Sequence, residues 1–276
     1  MTKGQKKPKT GSVKVRRLKV PLEDLRSMTD EDRFSYYLLG HMFNELMCLQ
    51  KMIHFAMPRH GDRRSVRFHP EMAQAQFMFR IALGKVSEVR DELEGNKHLQ
   101  ATWDRLIKPK WPEEQHLRAA LFEALDAAHW LKKLRNKLGF HFPRFNQWAP
   151  FIRPTDEWKD DEIFLSERSG NIFYDAANDV ALHWMLSLPS SDPEAEGPIN
   201  PIGTEGLLET VDPMIEKMIE LITLMNNYIE GALNALVRSV LNEDVSISPG
   251  EPVVAPHFAD VKIPFWTHMP SRPTSD

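Results

Sequence analysis

Along most of the chain apolar residues recur at steps of three and four, the period that lays one stripe of an α-helix against a core. Thr29-Asp30-Glu31-Asp32 has the hydroxyl and acidic first turn of a helix start, and Phe34, Leu38, Met42, Leu46, Leu49 and Ile53 carry the stripe to a stop before Pro58. A polar, arginine-rich loop follows from Arg59 to His69. Pro70 opens a second helix, with Met72, Ala75, Phe79, Leu83, Val86 and Val89 on its apolar face and Gly95 near its end. A short helix is predicted from Leu99 to Ile107. Trp111-Pro112-Glu113-Glu114 starts another, whose stripe of Leu117, Leu121, Leu125, Ala128, Leu131 and Leu134 runs on to Gly139.

The helical period is lost from Trp148 to Lys159, and Glu162 to Tyr174 reads instead as two short strands joined around Ser169-Gly170. Asp175 to Leu188 returns to helix, and a flexible loop rich in Pro, Ser, Gly and Glu spans 189–203. The last helix carries a seam of Leu208, Val211, Ile215, Met218, Ile222, Met225, Ile229, Leu233, Leu236 and Val240. Such a seam must be covered, either by the same bundle or by a partner chain. The pattern therefore predicts a mainly all-α fold, a helical bundle of about five to six helices over 29–242 with one short β-hairpin insertion at about 162–174. A basic, largely disordered tail over 1–28 precedes it, and a Pro-rich extended tail over 243–276 follows.

At 276 residues and 42% hydrophobic content the chain can bury a sizeable core. Its single cysteine, Cys48, excludes an intrachain disulfide framework and a multi-cysteine zinc site, and its place in an apolar helix makes it a packing residue. No apolar run nears the roughly 20 residues that span a bilayer, and the start lacks the apolar run of a signal peptide, so a cytoplasmic protein with no membrane partner is expected. A phosphate-cradling glycine loop, a serine-hydrolase elbow and a dinucleotide fingerprint are all absent from the sequence.

A formal net charge of -4 implies no general polyanion-binding surface, so local clusters matter. One cluster is the start of the chain, where Lys3, Lys6, Lys7, Lys9, Lys14, Arg16, Arg17 and Lys19 precede the first acidic residue, Glu23. It reads as a solvated tail or as one that adds weak, salt-sensitive affinity for RNA or DNA. The second runs from Lys132 to Arg144 with no acidic side chain: Lys132, Lys133, Arg135, Asn136, Lys137, His141 and Arg144. A guanidinium offers a planar fork of donors to phosphate oxygens, and an imidazole exchanges protons near neutrality, so Arg135 and His141 together suit a phosphodiester and need no metal. On one continuous helix six residues would set them about 240° apart. The helix must therefore loosen between them, which Gly139 and Pro143 permit.

An arginine, a polar residue and, a few residues on, a histidine at a helix end in an all-α chain resembles the motif of the HEPN superfamily. Here it reads Arg135-Asn136-Lys-Leu-Gly-Phe-His141. The stretches Tyr36-Tyr-Leu-Leu-Gly-His-Met-Phe-Asn44-Glu45-Leu and Phe79-Arg80-Ile-Ala-Leu-Gly84-Lys85-Val are also similar to bacterial HEPN proteins related to abortive infection, so that the likeness covers Arg33 to Leu188. The resemblance implies a homodimeric helical bundle whose two motifs meet to form a metal-independent endoribonuclease, a toxin or phage-defence effector with RNA as substrate and a cognate antitoxin as a partner. It implies His141 as general base or acid, Arg135 as the group that holds the phosphate, and Asn136 as the residue that orients histidine or substrate. Lys132, Lys133, Lys137 and Arg144 would bind RNA. No cofactor is implied.

Other readings stay open. The same helices can form a non-catalytic module that binds RNA, a nucleotide or a protein partner. His41 and Glu45, one turn apart, can support the site from behind or form an ordinary buried hydrogen bond. Glu113 with His116 and Asp126 with His129 mimic carboxylate-histidine metal ligands, but both pairs fall on one predicted helix, whereas a di-iron bundle draws such pairs from two; no metal is expected.

Overall fold

The computed structural model describes residues 10–58, 65–138, 144–152, 163–165, 172–187, 203–241, 250–265 and 267. The chain is mainly helical with two small two-stranded sheets. In chain order the elements are β1 (Thr10–Val15), α1 (Leu22–Ser27), α2 (Asp30–Ala56), α3 (Phe68–Gly95), α4 (Lys97–Thr102), α5 (Glu114–Ala127), α6 (Trp130–Leu138), α7 (Phe145–Trp148), β2 (Ile163–Phe164), β3 (Phe173–Tyr174), α8 (Asp175–Ser187), α9 (Gly203–Val240) and β4 (Glu251–Pro256). A π-helical turn at Trp103–Ile107 and a 3₁₀ turn at Lys108–Lys110 follow α4. The chain divides into two compact units. The first comprises Met1–Met47, Val89–Leu121 and Leu224–Lys262; the second comprises Cys48–Glu88, Phe122–Thr223 and Ile263–Asp276.

In the first unit, α2 begins where the sequence places it. The Thr29 hydroxyl accepts from the Asp32 backbone N–H at 3.2 Å and donates to the Asp32 carboxylate at 2.9 Å, a reciprocal cap. The inward face of α2 then differs from the apolar stripe. Phe34 is 44% exposed, whereas Asp32 and Ser35 are buried in register with Leu39, Met42 and Leu46. The cause is a polar network that an apolar pattern cannot reveal. Asp32 accepts from the Thr102 hydroxyl at 2.8 Å and pairs with the Arg105 guanidinium, and the Ser35 hydroxyl lies 3.1 Å from that of Thr102. Burial pushes the Asp32 carboxyl up, but the Arg105, Thr102 and Thr29 hydrogen bonds outweigh it and hold the group below its ordinary value of 3.8.

A carboxyl depressed by folding contributes stability that is present above its unfolded value and is lost as pH falls through the folded one. Asp32→Ala is therefore expected to cost about 2 kcal/mol at pH 7 and progressively less below about pH 4, as the carboxyl takes up its proton first in the unfolded chain and, at lower pH, in the folded one. Urea denaturation at pH 7 and pH 3 checks this; an equal loss at both would refute the ionic role.

The middle of the first unit is held by a buried carboxylate. Glu114, 3% exposed at the start of α5, accepts from the Tyr228 hydroxyl at 2.6 Å and from Trp103 Nε1–H at 3.2 Å, with Arg118 Nη1 3.9 Å away. Trp103 stacks on Tyr228 with ring centroids 5.2 Å apart, and Trp111 packs beside both. At Gly231 of α9 a Cβ would fall within 3 Å of three atoms of the Trp111 ring, so the close approach of helix to indole requires glycine there. The seam of α9 is buried within the chain itself at Met225, Ile229 and Leu236 in this unit, with Leu233 half-buried, and at Ile215, Met218 and Ile222 in the second.

Two terminal segments differ from expectation. Where composition predicts a largely disordered tail, Thr10–Val15 pairs antiparallel with Glu251–Pro256, and Leu22–Ser27 is helical. Where the sequence predicts one hairpin, there are thus two strand pairs among the described residues.

The second pair is the predicted hairpin, with Ile163 opposite Tyr174 and Phe164 opposite Phe173 in the second unit. There α3 buries Met72, Ala75, Phe79, Leu83 and Val86 as its pattern requires. The predicted fourth helix is interrupted at Ala128-His129 and continues as α6; Leu131 N–H donates to the Ala128 carbonyl at 2.9 Å, a tightened turn that no Gly or Pro announces. Leu117 is 38% exposed and leaves the stripe, and Cys48 is exposed, not a packing residue. The C-terminal tail crosses the second unit: Ile263 N–H donates to the Phe55 carbonyl at 3.0 Å and Phe265 packs edge-on against Phe173. The predicted loop over 189–203 lies almost wholly outside the described residues.

Candidate active site

The basic cluster sits on α6 and the start of α7. Stacking of Trp130 on Phe79, with centroids 6.0 Å apart, seats the first turn of α6 against α3. Leu131 and Leu134 are buried at 3% and below. That burial fixes the rotation of the helix: Lys132 is exposed, and Arg135, one turn later, is half-buried in the last turn. Arg144, exposed, directly precedes α7. Cations in a last turn are also favoured by the negative end of the helix dipole.

Asn136, Lys133 and Lys137 belong to α6, but their side chains lie outside the described residues, as does the whole of His141. The approach of His141 to Arg135 is therefore not part of the described geometry. Every described member of the cluster belongs to the second unit. His41 and Glu45 belong to the first, where His41 Nε2 lies 3.5 Å from Glu45 Oε1. With its side chain 68% exposed, His41 meets Glu45 at the surface and not in a buried hydrogen bond. The carboxylate-histidine pairs of the predicted fourth helix are also at the surface: Glu113, His116, Asp126 and His129 are all exposed. Among the described residues no group of three or more His, Cys, Asp or Glu could hold a metal ion.

Sequence reading missed one imidazole-carboxylate pair. His69 Nδ1 lies 3.2 Å from Asp175 Oδ1, with side chains 20% and 12% exposed, and the imidazole packs against Phe68 and Phe164. The second residue of α3 thus meets the first residue of α8. Asp175 is recognisable in sequence only as an acidic helix start, and nothing there links it to a histidine more than a hundred positions earlier. A second is Arg80, whose guanidinium sits 5.7 Å from the centroid of the Phe77 ring on α3; burial lowers its pKa from the ordinary arginine value.

Comparison with known proteins finds no match to a family model, to a curated protein or to a solved structure.

Proposed function

We propose that the chain is a HEPN-type endoribonuclease that works without a metal, as a homodimer and as a toxin or phage-defence effector. The observation that carries this reading is the acid-free cationic stretch over α6 and the start of α7, where buried Leu131 and Leu134 hold Lys132 toward solvent and Arg135 at the rim of the core. A half-buried guanidinium one turn from an exposed lysine suits a backbone phosphate. His141, three residues beyond α6, supplies the proton chemistry.

In the proposed reaction His141 takes the proton of the ribose 2′-hydroxyl, whose oxygen attacks the adjacent phosphorus. A P–O2′ bond forms, the P–O5′ bond breaks, and the leaving oxygen is protonated. Arg135 stabilises the charge that develops on the phosphoryl oxygens, and Asn136 orients imidazole or substrate. The products are a 2′,3′-cyclic phosphate and a 5′-hydroxyl, and DNA is inert to this route. The test compares an RNA oligonucleotide with DNA of the same sequence, both incubated with purified protein in EDTA. Cleavage of RNA alone is expected. Cleavage of both would refute 2′-hydroxyl attack, and cleavage of neither would favour the reading of α6 as a non-catalytic nucleic-acid-binding helix.

A further inference from the structure

The β1–β4 pair stands out from the rest of the chain in exposure and in charge. Every residue from Gly11 to Lys19 is exposed, and so is β4 except for Ala255. Val13 and its cross-strand partner Val253 are 55% and 47% exposed on one face, and Val254 is 76% exposed on the other, so the ribbon meets solvent on both faces. A two-stranded ribbon with so little burial is marginal in water by itself. Lys14 lies on β1, and Arg16, Arg17 and Lys19 follow directly on its exposed continuation, four cations within six positions, while Glu251 is the one acid on the partner strand in a chain whose net charge is -4. One lysine suffices to discourage an edge strand from aggregating; four closely spaced cations exceed that need.

Geometry adds to the charge. Gly250, at φ 92°, turns the chain into β4, and a Cβ there would lie 3.4 Å from Arg16 Cγ, so the arginine stem packs over the turn at that end of the ribbon. Pro252 and Pro256 lack N–H groups, which makes β4 a poor edge for adding a strand from a partner protein. Immediately after β4, the side chains of His257 and Phe258 are exposed at the far end of the ribbon from Arg16.

We infer that the β1–β4 ribbon is a docking surface for single-stranded nucleic acid, held by its phosphates and without reading of sequence. A row of cations on a solvated ribbon, with aromatic rings at one end, matches what a sugar-phosphate strand with stacking bases requires. An acidic peptide would match the charge but would leave the two rings without bases to stack on them. The inference goes beyond the nuclease reading and does not rest on it, since the ribbon belongs to the first unit and the Arg135 cluster to the second.

The test is fluorescence anisotropy of the full chain with a labelled single-stranded DNA, which lacks the 2′-hydroxyl and cannot be consumed by the proposed cleavage. The wild type is compared with a Lys14→Gln, Arg16→Gln, Arg17→Gln variant over a range of salt concentrations. Single-strand binding falls with log salt at a slope near -0.7 per phosphate neutralised, so the variant should lose about 2 from the slope and bind at least about tenfold more weakly at low salt. Because these side chains are exposed, the variant should fold; if its circular dichroism departs from wild type, Phe258→Ala, which keeps the cations, is expected to weaken binding through lost stacking. Equal binding by wild type and folded variants, absence of wild-type binding at low salt, or displacement of DNA by polyglutamate at matched charge concentration would each overturn the inference.

Discussion

Replacing His141 with alanine is expected to lower the rate of RNA cleavage by about 10²–10⁴-fold, the range over which a positioned general acid or base contributes. Affinity for RNA should change little, because in the proposed reaction the imidazole acts on protons while the cations of α6 hold phosphate. Arg135→Ala should lose about 10²–10³-fold, and Arg135→Lys should not restore the activity, since an ammonium cannot reproduce the planar fork. Initial rates on labelled RNA, paired with anisotropy on non-cleavable DNA, separate the two effects. Cleavage by His141→Ala within threefold of wild type would remove His141 from the reaction and shift attention to the His69–Asp175 pair, whose imidazole and carboxylate lie 3.2 Å apart.

The second large effect is on stability. Glu114→Ala is expected to destabilise the chain by about 3 kcal/mol or more, because it strands the Tyr228 hydroxyl and the Trp103 indole N–H in a buried site with no replacement acceptor. Glu114→Gln retains a carbonyl oxygen where both donors converge and should cost about half as much. Burial, together with the hydrogen bond to Glu114 and its charge, pushes the Tyr228 phenol far above its ordinary value of 10.0, so it stays protonated and can donate throughout the working pH range. Chemical denaturation followed by tryptophan emission reports directly, since Trp103 and Trp111 lie in the network. A loss below 1 kcal/mol for Glu114→Ala would show that the carboxylate contributes little.

The long helices were legible because punctuation and period agree. Thr29 caps α2, Pro58 follows its end, and Gly95 closes α3, with the apolar positions between spaced at three and four. Legibility failed where a polar side chain is buried or where contact joins distant segments. Asp32, Ser35 and Glu114 look like surface residues in a linear pattern, and only Thr102, Arg105, Trp103 and Tyr228 explain their burial. The β1–β4 ribbon pairs Thr10 with Pro256, and His69 meets Asp175; neither partner is signalled locally. The interruption at Ala128-His129 carries no helix-breaking residue at all. At the candidate site, the alternation of leucine and cation that orients Lys132 and Arg135 was readable from α6 itself, because a nine-residue helix with Leu131 and Leu134 on one side has one way to bury them.

The most direct measurement of the central claim is the chemistry of the ends left when purified protein is incubated with total RNA in excess EDTA. The account predicts fragments with 2′,3′-cyclic phosphates and 5′-hydroxyls, formed at a rate that added Mg²⁺ does not restore or raise. Fragments with 5′-phosphates, or cleavage that appears only when a divalent ion is returned, would contradict it.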